Sequence, residues 1–276
     1  MNIIKRASEM QKIALKHIEL GDEIGLVPTM GALHEGHISL INKSGKNDDI
    51  TIVPIFVNPT QFGPNEDYLK YPRPIEKDLQ ICKKNHVDYV FLPSVIEMFP
   101  NEHKTFIEVK DWQDILCGSF RKGHFRGVAT VVAKLFNISC AHRAYFGMKD
   151  FQQLKIIEKM AKDLNLTAKI VPCSIVREKS GLALSSRNTY LSDEQKKEAS
   201  LIYKILKEAK EEFKTNSVNA VLTKAFKKLE NIKESKIDYA QIVDFADLSK
   251  ADDKTKKAVF LIAIWIGKTR LIDNMI

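Results

Sequence analysis

Two hydrophobic periods divide this chain. Residues 3 to 20 place Ile4, Ala7, Met10, Ile13, Ala14 and Ile18 at helical spacing, which predicts an amphipathic helix. Ile24 to Val27 is a short apolar run of strand length, and a helix is expected from Gly36 to about Lys46. Ile50 to Val57 is an almost unbroken β-branched run, the pattern of a parallel strand covered on both faces. Helices follow at Ile75 to Asn85, Ser94 to Met98, Val128 to Ile138 and Phe151 to about Leu164. Strands are expected at Asp88 to Leu92, Arg143 to Phe146 and Thr167 to Val176, with Thr105 to Val109 as a further short strand or edge. Ser119 to Gly127 reads as a basic, glycine-bounded loop. Strands near 26, 53, 90, 145 and 170, separated by helices, predict an α/β fold with a doubly wound, Rossmann-like parallel sheet.

The pattern changes after Arg177. Ser180 to Asn188 is loop-like, and Ser192-Asp193-Glu194 opens a long helix with Ser192 as its cap. A second helix covers about Val218 to Asn231. Ile237 to Val243, Val259 to Ile266 and Thr269 to Ile272 read as strands, the last two turning at Gly267-Lys268. Residues 1–177 are therefore expected to form the Rossmann-like domain, and 178–276 a smaller α+β domain.

Composition narrows the class without naming a ligand. Apolar residues make up 44% and charged residues 28% of the 276, as in a soluble globular protein. No apolar run approaches the roughly 18 residues of a membrane span, and the opening residues lack a signal-peptide pattern. Four scattered cysteines (Cys82, Cys117, Cys140, Cys173) form no C-x-x-C pair, so a reduced, cytoplasmic protein is expected. The net charge of +8 raises the possibility of nucleic-acid binding. In the second half, however, lysines alternate with glutamates at helical spacing, which marks a solvated face and not a phosphate track.

The candidate chemistry starts at Pro28-Thr-Met-Gly-Ala-Leu-His-Glu-Gly-His37, which reads as a strand, a tight turn and a helix start. His34 and His37 fall on one side of that helix. Unpaired N–H groups at its start, with the positive end of its dipole, are expected to receive an anion such as phosphate. Gly36 leaves room for a flat ring to settle on the backbone. Three further segments follow strands: Asn58 to Gln61, Gly147 to Asp150, and Leu184 to Asn188. A doubly wound sheet gathers such strand ends on one rim. They supply imidazoles, amides at Gln61 and Gln153, the Lys149 ammonium, hydroxyls at Ser185 and Ser186, and the Arg187 guanidinium. That set suits a nucleoside triphosphate and a small polar co-substrate. Walker and G-x-G-x-x-G patterns are absent, and His34-x-x-His37 lacks the H-E-x-x-H form of a zinc site. Each segment also has a plain structural reading: a polar βα turn, a surface lysine, a helix cap, a polar turn.

In combination these segments resemble a family. The His-x-Gly-His element is similar to that of the nucleotidyltransferase superfamily. More narrowly, Pro28 to His37, Phe56-Val-Asn-Pro-Thr-Gln-Phe62, His124-Phe-Arg-Gly-Val-Ala-Thr130, Tyr145-Phe-Gly-Met-Lys-Asp-Phe-Gln-Gln153 and Leu184-Ser-Ser-Arg-Asn188 resemble the pantoate–β-alanine ligases. The resemblance implies two steps. Pantoate attacks the α-phosphorus of ATP to give pantoyl adenylate and pyrophosphate; β-alanine then displaces AMP to give pantothenate. It implies His37, His34 and Lys149 as catalytic residues. ATP would be held by Met30, Gly31, Ala32, Leu33, His34, Glu35, Gly36 and His37, by Gly147, Met148, Lys149 and Asp150, and by Val176, Leu184, Ser185, Ser186 and Arg187. Gln61 and Gln153 would hold pantoate, Gln61 also β-alanine. Mg2+, a homodimer, no nucleic-acid or membrane partner, and a C-terminal lid domain belong to the same expectation. Relatives carry several acids before the third helix where this chain has Glu76-Lys77-Asp78, so the resemblance assigns no protein ligand to the metal. Another adenylyl-transferring nucleotidyltransferase is the alternative.

Overall fold

The computed structural model describes residues 1–64 and 66–276. The chain divides into two compact units: 1–148 with 153–174, and 149–152 with 175–276.

The first unit contains strands β1 (Asn2–Ile4), β2 (Ile24–Leu26), β3 (Ile50–Pro54), β4 (Tyr89–Phe91), β5 (Arg143–Gly147) and β6 (Lys169–Cys173). They form one parallel sheet in the order β1-β4-β3-β2-β5-β6. Helices α1 (Ala7–Glu19), α2 (Glu35–Asn47), α3 (Ile75–Lys84), the short α4 (Val95–Met98) and α5 (Cys117–Phe120), α6 (His124–Ser139) and α7 (Phe151–Asp163, in this unit from residue 153) connect them. Adjacent strand residues point to opposite faces, so each face acquires its own core. Ile52, Phe91, Ala144 and Phe146 pack with Met10, Ala14, Val128, Val132 and Ile157 on one side. Val53, Val90 and Tyr145 pack with Leu40, Ile41 and Cys82 on the other.

The expected doubly wound sheet is present, with one more strand than the five counted. Residues 2–4 pair with Tyr89–Phe91 as an edge strand, and α1 begins only at Ala7. Three residues are too short to show an alternation, and Ile4 fits either period. Residues 105–109 form no strand. The Ile107 N–H bonds instead to the Thr130 hydroxyl on α6, 2.9 Å away. The segment read as a loop at 119–127 is largely helical: α5 ends at Phe120, Gly123 turns the chain at φ 79°, and α6 starts at His124.

In the second unit, helices α8 (Asp193–Glu212) and α9 (Val218–Glu230) cover an antiparallel sheet of β7 (Ser235–Asp244), β8 (Ala258–Ile266) and β9 (Thr269–Met275). Ala199, Ile202 and Leu206 meet Ile262, Ile264 and Leu271 in its core. Ser192 caps α8 as expected, in a reciprocal box with Gln195.

Candidate active site

The order β4-β3-β2-β5-β6 reverses direction between β2 and β5. That is the switch point where open α/β sheets leave a crevice at their strand ends. The turn 28–34 leaves β2 there. Thr29 continues the ladder by a bridge to Ile55, and its hydroxyl donates to the Pro54 carbonyl at 2.8 Å. Gly31 at φ 82° and Ala32 at φ 50° then bend the backbone sharply. The Ala32 and Leu33 N–H groups point into the concavity of the bend, and both donate to Asp78 of α3, at 2.8 Å each. Asp78 is fully buried. Burial raises its carboxyl above the usual range, a shift that the bonds from Leu33 and Ala32 offset only in part.

His34 is the N-cap of α2. Its Nδ1 accepts from the Gly36 N–H at 3.1 Å, and the His34 N–H donates to Nδ1 of His37 at 3.3 Å. The rings lie on one side of the helix, as expected, with centroids 4.2 Å apart. A ring nitrogen that accepts carries no proton, so each neutral imidazole holds its hydrogen on Nε2.

Two expectations are corrected here. The N–H groups at the start of α2 were expected to be open to an anion. Instead Gly31 donates to Thr29 Oγ1, Ala32 and Leu33 to Asp78, His34 and Gly36 to imidazoles, and His37 and Ile38 to the His34 carbonyl. The ring that Gly36 admits is also the protein's own: a Cβ there would lie 2.8 Å from Cε1 of His34.

The segment after β3 packs on α6. Asn58 donates through Nδ2 to Oε1 of Gln61 and to the Gly127 carbonyl, 3.1 Å each, and its Oδ1 accepts from Thr60. The buried Gln61 side chain donates to Met30 Sδ at 3.0 Å, which ties this segment to the β2 turn. The Gln61 main-chain carbonyl accepts from His124 Nδ1 at 2.8 Å and from Arg121, which is itself paired with Glu66. His124 therefore holds its hydrogen on Nδ1, and Arg121 donates to its Nε2 at 3.0 Å. Gln153 sits in the first turns of α7, half-buried. In the first unit Gln61 is thus bonded to Met30 of the β2 turn, and His34 to His37 at the start of α2.

In the second unit, Val176 and Leu184 face each other across a narrow turn, the Leu184 N–H donating to the Val176 carbonyl at 3.0 Å. Ser185 caps the following single-turn helix through the Arg187 N–H. Two residues near the end of β9 anchor both parts of this region. Asp273 forms a bidentate pair with Arg177 at 2.6 and 2.8 Å, and Asn274 Nδ2 donates to the Lys149 carbonyl at 2.9 Å. Lys149 Nζ lies 3.7 Å from the Asp150 carboxylate. Asp78, Asp273 and Asn274 had no signal in the pattern, whereas His124 opens one of the quoted motifs and Arg121 lies in the basic segment 119–127, neither with a role assigned to it. Asp78 in particular reads as an ordinary acid in the first turn of a helix.

A family model described as pantoate-beta-alanine ligase matches residues 2–276. The chain belongs to the pantoate-beta-alanine ligase family. It is 74% identical to the pantothenate synthetase of Endomicrobium trichonymphae, over 100% of this chain and 97% of the relative. It is 50% identical to that of Thermosipho africanus, over 100% of both chains. The solved ligase of Thermus thermophilus superposes with a TM-score of 0.95 at 38% identity, covering 100% of this chain and 99% of that one. A ligase of Francisella tularensis, solved with beta-gamma ATP and beta-alanine, gives 0.83 at 38% identity over 100% and 97%.

Proposed function

We propose that this ligase joins pantoate to β-alanine through an acyl adenylate, with His34 and His37 serving the phosphates and Gln61 and Gln153 holding pantoate. A pantoate carboxylate oxygen attacks the α-phosphorus of ATP, and the bond to pyrophosphate breaks. The β-alanine amine then attacks the acyl carbon, AMP leaves with the bridging oxygen, and the proton shed by the amine nitrogen passes to solvent.

The observation that carries this reading is the paired imidazole cap. Because both Nδ1 atoms accept from backbone, Nε2 is the donor nitrogen on each ring, and its direction is fixed before any ligand arrives. Phosphoryl transfer asks for positioning and charge stabilisation above all, which a prearranged pair of donors supplies. His37 donates a hydrogen bond from Nε2–H to the departing pyrophosphate and keeps its proton. Gln61 suits pantoate, and helps place β-alanine, because an amide bonds hydroxyl and carboxylate without adding a charge. Lys149 is the cation for the phosphates. Met30 to His37, Gly147 to Asp150, Val176 and Leu184 to Arg187 contact the nucleotide. Mg2+ enters with the triphosphate, as such ions commonly do. No cluster of three acid, His or Cys ligands exists among the described residues, and Asp78 is turned wholly to backbone. A cytoplasmic homodimer completes the reading, and light scattering checks the dimer.

The test follows the oxygen. Pantoate labelled with ¹⁸O in its carboxylate should yield AMP carrying one labelled oxygen. Unlabelled AMP with full turnover would rule out the adenylate.

A further inference from the structure

One buried carboxylate stands beneath the histidine cap and takes part in none of the chemistry above. Both oxygens of Asp78 accept from the backbone of the turn that delivers His34: Oδ2 from Ala32 and Oδ1 from Leu33. The chain there is bent into conformations that resist being held, with Gly31 and the non-glycine Ala32 both at positive φ. Gly31 packs so closely on the carboxylate that a Cβ would approach Oδ2 to 2.9 Å. Leu33 is buried and leads directly into the N-cap residue. Any relaxation of the Ala32–Leu33 peptides therefore moves the His34 backbone, whose N–H fixes the acceptor nitrogen of His37.

We propose that Asp78 is a positioning residue: it occupies the concavity of the Gly31–Leu33 turn as a built-in anion and so holds the two imidazoles, with Nε2 as their donor, in register for phosphate. The inference rests on the reading that these imidazoles serve the phosphates. A neutral amide cannot replace it. Asparagine offers one acceptor oxygen and turns an NH2 group against the other N–H. A carboxylate buried here solely for stability would leave the rings where they are when it is exchanged for its isostere.

Asp78→Asn in the full-length enzyme tests this with three readouts. Pantoate-dependent pyrophosphate exchange should fall by about 10- to 100-fold, the cost of a small misplacement of catalytic groups. KM for ATP should change by less than about 3-fold, because the loss lies in the transition state. Nitrogen NMR of the imidazoles should show Nδ1 unprotonated in both rings of the native protein and averaged tautomers in the variant. Should the variant fail to fold, amide hydrogen exchange in the native enzyme decides, with Ala32 and Leu33 expected to be protected. Normal exchange activity with native tautomers in a folded variant, or unprotected Ala32 and Leu33 amides, would overturn the proposal. His37→Ala separates the two readings. If it keeps full activity while Asp78→Asn shifts the tautomers, the positioning stands and the phosphate role of the histidines falls.

Discussion

An imidazole that caps a helix through Nδ1 keeps one proton-bearing nitrogen, and in this chain two such rings stand 4.2 Å apart. Loss of one donor that acts mainly in the transition state costs on the order of 10²-fold in rate. His37→Ala is accordingly expected to slow turnover by about 10²-fold or more, with the melting temperature nearly unchanged. A large fall in melting temperature with near-normal turnover would make His37 a structural residue. The same neighbourhood sets the behaviour of Cys82. Burial first, and the nearby Asp78 second, push its thiol up to about 12. A raised thiol pKa favours the neutral form, so the stabilising contribution is present below the ordinary thiol range and is lost as pH rises toward about 12. At pH 8 Cys82 should resist an aromatic disulfide reagent in the native protein and react only after denaturation. Rapid labelling of native Cys82 would contradict this environment.

Elements position the site through close backbone approaches. Gly127 in α6 lies so near the Asn58–Gln61 segment that a Cβ would fall 2.3 Å from the Thr60 carbonyl oxygen. Gly127→Ala must push that segment or the helix aside, at about 1–3 kcal/mol, the usual cost of overpacking. Because the displaced segment carries Gln61, KM for pantoate should rise along with the loss of stability. Unchanged pantoate kinetics would detach Gln61 from the substrate. A contrasting change is Ser192→Ala, which removes the α8 cap and should cost about 1 kcal/mol with no effect on kinetics. Most elements were legible because their periods are long and unmixed: the β-branched run of β3, the apolar face of α6, the capped start of α8. What stayed hidden was short or decided at a distance. Residues 2–4 become a strand only because Tyr89–Phe91 offers an edge, and residues 105–109 fail to become one because Thr130 takes the Ile107 N–H.

On the scale of the whole molecule, the segments that mattered are spread along the chain from residue 28 to residue 188, yet five of them were visible as motifs. The residue types proposed for the chemistry were visible there: histidines around a glycine, an amide after a strand, a lysine after another. Of their supports only His124 lay inside a quoted motif, and none was assigned a role. The Asp78 carboxylate under the β2 turn, the Glu66–Arg121–His124 chain behind Gln61, and the β9 anchors of Lys149 and Arg177 are tertiary contacts made by residues of ordinary type. The +8 charge proved uninformative for the site; in the second unit lysines pair with acids, as Lys228 does with Glu208 at 2.6 Å. No helix among the described residues is long and apolar enough to cross a membrane. The central claim is that an acid is activated on ATP before the amine is needed. Isotope exchange between pyrophosphate and ATP tests it most directly. The account predicts exchange that requires pantoate and proceeds without β-alanine; exchange that ignores pantoate, or that waits for β-alanine, would contradict it.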